Sequence, residues 1–344
     1  MESLADLLNK AVALHNAGRL DQAERLYREV LRANPRHGQA LALLGEIARR
    51  SQIPVASAST APSDVLLGEL ARQPERQPPA AEQGGNIVLG AAFGYDAAKI
   101  APFALSLREH HAGAVTLFVD SPALGPFLDR HGIGFEVHDK ADQAMHVVQA
   151  RFVMALRHLL RHGHRYRRAL LTDVGDVVFQ ADPFALGRAP ALVSFQEHPT
   201  LTLDTQPTNA RWMTQFFGAD ALSGVFSGKP VVCVGVTLGD TQAVVAYLRM
   251  LLAIAALTGR ERIKEFGCDT AVHNFIVHLK LIEGFEIDGC YRHCAHLGTA
   301  DPATVWVDER GFIRVKPDYR PAIVHQYNYG HQAAIDLIAR KYRV

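Results

Sequence analysis

The chain has little cysteine, almost no net charge and no long apolar run, and each shortage closes a class of explanation. Four cysteines in 344 residues do not make the disulfide framework of a small secreted domain. Lysine and arginine total 36 against 35 acidic residues, a net charge of +1. No strong overall field therefore draws the chain to nucleic acid or to an anionic membrane. No apolar stretch is long enough to span a bilayer, and the opening MESLADLLNKAVALHNAGRL lacks the basic-then-apolar order of a secretory signal. Neither G-x-x-x-x-G-K-[ST] nor G-x-S-x-G occurs, which removes support for a Walker-type NTPase and for a serine hydrolase built on that elbow. What is present is 48% apolar and 21% charged residues, the balance of a globular protein with a sizeable core. The expectation is a reduced, cytoplasmic protein, with no transmembrane segment and no nucleic-acid partner, and long enough for two parts.

The pattern divides the chain at residues 1–50, 51–85 and 86–344. Leu4, Leu7, Leu8, Ala11 and Leu14 recur at helical spacing, and Gly18 marks a turn. Ala23, Leu26, Tyr27, Val30 and Leu31 form a second stripe that Asn34-Pro35 stops. Ala40, Leu41, Leu43, Leu44 and Ile47 begin a third. The segment AVALHNAGRLDQAERLYREVLRANP resembles a tetratricopeptide repeat (TPR). Ala11, Gly18, Ala23, Tyr27 and Pro35 stand where that repeat places its small, aromatic and turn residues. The resemblance covers about one and a half repeats of roughly 34 residues, fewer than the three or so that stand alone. The helices are therefore expected to rest on the body, on a second copy or on a protein partner. Residues 51–85 are rich in Pro, Ala, Ser, Gln and Gly and read as a flexible linker, with DVLLGELAR as a short helical patch.

From residue 86 strands and helices alternate. NIVLGAAF reads as a buried strand, AKIAPFALSLREHH as a helix and AVTLFVD as a strand. LGPFLDRHG is a helix, FEVHD a strand and MHVVQARFVMALRHLLRHG a long amphipathic helix. This alternation predicts a parallel sheet with covering helices. Ligands bind such sheets beyond the carboxyl ends of the strands, where Phe93-Gly94-Tyr95, Asp120 and Asp173 to Asp176 fall.

RALLTDVGDVVFQADPF carries the most information. An apolar strand runs into Asp173 and Asp176, and a second apolar stretch leads into Asp182-Pro183-Phe184. Carboxylates at the end of a buried strand need compensation. A divalent cation holding a diphosphate supplies it, and so does an ordinary Asp-Gly turn around Gly175. The layout resembles a nucleotide-sugar glycosyltransferase of the GT-A type, in which an acidic motif after an apolar strand binds metal and nucleotide diphosphate. Four further segments fit in order: NIVLGAAFGYD with IAPFALSLREH, KPVVCVGVTLGDTQAVVAYL, GCDTAVHNFIVH and AIVHQYN. The resemblance spans about residues 86 to 330. It implies an α/β GT-A-like mixed sheet flanked by helices, preceded by the small all-α hairpin.

The resemblance also implies roles. Asp173, Asp176 and the late His325 would hold the cation. An imidazole among carboxylates suits Mn²⁺ better than Mg²⁺. Asp269 would sit beside the reacting sugar, as a base or as a sugar-hydroxyl partner, though it also stands where a helix N-cap is expected. Asn274 would face the donor sugar. Phe93, Gly94 and Tyr95 would meet the nucleobase, and Arg151 would reach the diphosphate. Two departures stand out: the acidic motif is D-x-x-D rather than D-x-D, and Thr270 follows Asp269 where many relatives carry Gln.

The implied activity is transfer of a sugar from a nucleotide-diphosphate donor to a glycan or protein acceptor. Two alternatives stay open. One is an inactive nucleotide-binding protein that docks partners through the helical head. The other is a nucleotidyltransferase, against which the loop AAFGYD counts because it carries one Gly and no basic residue. Cys290, His293, Cys294 and His296 are too tightly spaced for one ordinary four-ligand zinc site. The run RHLLRHGHRYRR reads as a solvated basic helix end.

Overall fold

The computed structural model describes residues 3–17, 19–34, 37–40, 43–44, 47, 84–138, 146–187, 190–258 and 265–344. The turn expected at Gly18, the stop at Pro35 and nearly all of the linker at 51–85 lie outside the described residues.

The head forms a helical hairpin. Helix α1 (Leu4–Asn16) opens on a capping box, in which Ser3 accepts from the Asp6 amide and Asp6 accepts in return. Helix α2 (Leu20–Ala33) packs against it through Leu8, Ala11, Ala23, Tyr27 and Val30. Ala40, Leu44 and Ile47 close the same small core. The hairpin rests on the body: Leu257 joins its core, and Leu31 packs against the core of the body.

The body is an α/β unit built on a seven-stranded mixed sheet of order β3-β2-β1-β4-β7-β6-β8. Its strands are β1 (Gly85–Ala92), β2 (Ala114–Val119), β3 (Gly134–Val137), β4 (Tyr166–Thr172), β6 (Leu192–Gln196), β7 (Val232–Asp240) and β8 (Phe285–Asp288). The pairs β1–β2, β2–β3, β1–β4 and β6–β8 are parallel, whereas β7 runs against both β4 and β6. The expectation of a parallel sheet thus holds on the β3-to-β4 side and is corrected at β7. A covered antiparallel strand reads in sequence like a covered parallel one, because both faces are apolar.

Alternation along each strand feeds two cores. Ile87, Leu89, Ala169 and Leu171 face one, and Val88 and Leu170 face the other. The first core is covered by α5 (Val147–His162), α6 (Pro207–Phe217), α7 (Thr241–Leu257) and α8 (Cys268–His278). The second is covered by α3 (Ala97–His110) and α4 (Gly125–Arg130).

A smaller three-stranded sheet matters most for the site. Strand β12 (Ile323–His325) lies between β5 (Val177–Phe179), antiparallel to it, and β9 (Cys294–His296), parallel to it. Strands β10 (Val305–Val307) and β11 (Ile313–Val315) and helix α9 (Gln332–Lys341) complete this end. No helix among the described residues is long and apolar enough to cross a membrane.

Candidate functional site

Register brings distant residues together. Asp173 leaves the end of β4 and its amide donates to the Gly235 carbonyl at 2.8 Å, which ties it to β7. Four residues on, at Val177, the chain enters β5. There the antiparallel pairing sets His325 opposite Val177, next to Asp176. His325 Nε2 lies 3.4 Å from Asp173 Oδ2 and 3.6 Å from Asp176 Oδ1. One ligand atom from each of the three falls within 4.8 Å of the other two. Gly235 leaves the space they use. A Cβ there would stand 2.5 Å from Asp173 Oδ2 and 2.7 Å from His325 Cε1.

The three lie in a cleft of about 590 Å³. Phe93, Tyr95, Arg151, Asp269, Glu197 and Gln326 are among the residues that line it. Arg151, on the first turns of α5, is ion-paired to Asp173 and donates to Asp269 Oδ2 at 3.1 Å. Asp269 is 4% exposed. Burial pushes its carboxyl up from the ordinary range, and the Arg151 charge opposes that rise. The Tyr95 hydroxyl rests on Gly175, where a Cβ would come within 2.6 Å of it. The second of the two residues between Asp173 and Asp176 is a glycine because the Tyr95 ring lies against it.

Behind His325 runs a line of buried soft groups. His296, its neighbour across the β9–β12 register, places Nδ1 3.0 Å from His325 Nδ1. Cys233 Sγ lies 3.5 Å from the same nitrogen, and Cys294 Sγ 3.7 Å from His296 Nε2. For His325 Nε2 to offer a lone pair to a cation, the ring proton must sit on Nδ1. It then points at His296 Nδ1, whose own proton is on Nε2, toward Cys294. Burial holds both imidazoles below their ordinary range and so neutral, with Asp176 opposing the effect at His325. The outgoing residue, Gln326, has φ of +58°, a conformation uncommon outside glycine and frequent at constrained sites.

Two expected contacts are corrected. Asn274 is fully buried. Its Oδ1 accepts from the Val232 amide at 3.0 Å, and its Nδ2 donates to the carbonyls of Val232 and Thr270 at 3.0 and 2.9 Å. Its amide fastens α8 to β7 and does not reach the cleft. Gly94 has φ of +71°, and its amide donates to the Asp120 carboxylate at 3.0 Å, so it shapes the turn between Phe93 and Tyr95 rather than lining the cleft. Phe93, Tyr95, Arg151, Asp173, Asp176, Asp269 and His325 all line it.

Glu197, Cys233 and Gly235 were missed in the sequence, and His296, read there only with the Cys/His cluster, instead stands behind His325. The Cys/His cluster at 290–296 does not converge on one ion. His293 Nε2 donates to the Pro183 carbonyl at 2.8 Å, while His296 turns to His325.

No family model matches the chain, and no curated protein sequence matches it.

Proposed function

We propose that this chain is a metal-dependent glycosyltransferase of the GT-A type, moving a sugar from a nucleotide-diphosphate donor to a glycan or protein acceptor. One observation carries the reading. Asp173, Asp176 and His325 converge from two sheets on the strand-end cleft, with Arg151 and Asp269 on the adjoining wall. The donor set fits a divalent cation: two carboxylates, one imidazole, and a gap that a Cβ at position 235 would fill. Hard oxygens with one nitrogen suit Mn²⁺.

Asp173, Asp176 and His325 would hold the cation, which when bound supplies charge neutralisation for the departing diphosphate. The remaining work falls to the chain's own groups. Arg151 sits between Asp173 and Asp269, where it can meet a phosphate oxygen while opposing the rise that burial imposes on the Asp269 carboxyl. Asp269 then accepts hydrogen bonds from the donor sugar or takes the proton of the acceptor hydroxyl. The rings of Phe93 and Tyr95 offer apolar faces to the base. Glu197 also lines the cleft; burial pushes its carboxyl up, with His325 opposing. The helical hairpin, read as a truncated TPR-type unit, already rests one side on α7, so any protein partner must use its other surfaces.

The test is incubation of purified protein with a panel of labelled nucleotide sugars and Mn²⁺. The expected result is release of nucleoside diphosphate from one donor, reduced about 100-fold or more in Asp269→Asn. Release of pyrophosphate from a nucleoside triphosphate instead would establish nucleotidyl transfer. No turnover and no nucleotide binding by folded protein would leave the interaction-module reading.

A further inference from the structure

A second cluster of imidazoles and a carboxylate stands apart from the cleft. Glu136 lies on β3, the edge strand of the large sheet, on the side that α5 covers. His158 and His162 lie on α5 at i and i+4, two and three turns beyond Arg151, so both rings leave the same helix face. Their centroids are 5.0 Å apart. His158 Nδ1 is 2.7 Å from Glu136 Oε1, and one ligand atom from each of the three residues falls within 4.8 Å of the others.

We propose that Glu136, His158 and His162 form a second divalent-metal site, distinct from the cleft, for an ion of the zinc class that clamps edge strand β3 to α5.

Three observations support it. The donor set is two imidazoles and one carboxylate, which selects Zn²⁺ over Mg²⁺ or Ca²⁺ and leaves a fourth position for water or another ligand. Second, the donors are already aimed at one another: His158 is only 5% exposed, and its Nδ1 faces Glu136 Oε1. Third, the cluster has the apolar jacket that favours such a site. Phe118 stands edge-on to His138 and His158, and Tyr166 stacks on His158. Arg161 Nη2 now sits 3.3 Å from Glu136 Oε2, but its side chain is 45% exposed and can swing to solvent when a cation takes the carboxylate.

An ion here would join an edge strand to the helix above it, so binding adds to the stability of the folded chain. This inference does not rest on the glycosyltransferase reading, because His325 belongs to the cleft clusters and not to this one.

The experiment uses metal-stripped full-length protein loaded with Zn²⁺, passed through gel filtration, and assayed for bound zinc and melting temperature. Wild type is expected to keep one zinc more than His162→Ala, with a higher melting point that is lost in the variant. His162 is only partly buried, so the melting of its metal-free form shows that the variant folds; Glu136→Gln gives a second, isosteric test. His325→Gln is expected to keep the zinc that His162→Ala loses. Affinity at the edge should fall by more than the roughly 10–100-fold that loss of an outer-sphere partner costs. Equal zinc in wild type, His162→Ala and Glu136→Gln would overturn the proposal. So would loss of all bound zinc in folded His325→Gln.

Discussion

The two His-carboxylate clusters use nearly the same side chains and differ in what surrounds them. In the cleft, Asp173, Asp176 and His325 come from strand ends of two sheets, beside a glycine that leaves room and an arginine that balances charge. At the sheet edge, Glu136, His158 and His162 come from one strand and one helix, under Phe118 and Tyr166. The first opens on a cleft of about 590 Å³; the second is wrapped in rings. On the proposed readings, the donor types would decide which ion is held, and the surroundings whether that ion would reach a substrate or fasten the fold.

Substitutions can break or sharpen that contrast, and the largest effect is expected at Gly235. If the cleft is chemical because that position is empty, Gly235→Ala pushes Asp173 and His325 apart. Turnover should fall about 100-fold, the scale of a 1 Å misplacement, while zinc retention at the sheet edge stays as in wild type. Normal Mn²⁺ affinity and turnover in Gly235→Ala would show that the gap is not the ion's seat.

His296→Ala comes next. It removes the acceptor for the His325 Nδ1 proton, and calorimetry should show Mn²⁺ binding about 10–100-fold weaker. His296→Gln, which offers another acceptor, should recover part of the loss. An unchanged affinity in both variants would mean that the ring orientation of His325 needs no support.

Asn274→Ala tests whether a residue on the same helix as Asp269 belongs to the fold alone. It strips the Val232 amide and carbonyl of their partner and should cost about 2 kcal/mol in denaturant unfolding. Mn²⁺ affinity should be unchanged. A selective loss of affinity at full stability would return Asn274 to the site.

The smallest effect concerns pH. His273 is fully buried against the Tyr247 hydroxyl, and burial pushes it down to about 3. Its folded value is below its unfolded value, so the unfolded chain binds the proton first and stability falls as pH drops below about 6.5. The contribution lost between pH 7 and 5.5 is about 1 kcal/mol. His273→Leu should flatten that part of the stability profile. An equally steep profile in the variant would assign the acid sensitivity elsewhere.

Much of the fold could be read from apolar period alone. The strand expected from residue 86 is β1, and the long helix ending at the RHG run is α5. Asp173 and Asp176 were legible because an apolar strand runs straight into them, and His325 because it follows one. Asn274 was misplaced through helix geometry. Five residues advance the helix by about 500°, which leaves Asn274 about 140° from Asp269 and turned toward β7. Glu197, Cys233, Gly235 and His296 were not legible because their place depends on which strands lie side by side. Nothing local announces that β9 will pair with β12, or that β7 will run against β4.

The central claim is that Asp173, Asp176 and His325 hold a cation that in turn holds a diphosphate. Thermal unfolding with each nucleoside diphosphate, with and without Mn²⁺, in wild type and Asp173→Ala tests it most directly. The account predicts a Mn²⁺-dependent rise in melting temperature for one base, absent in Asp173→Ala. A rise of equal size without metal, or one that survives in Asp173→Ala, would contradict it.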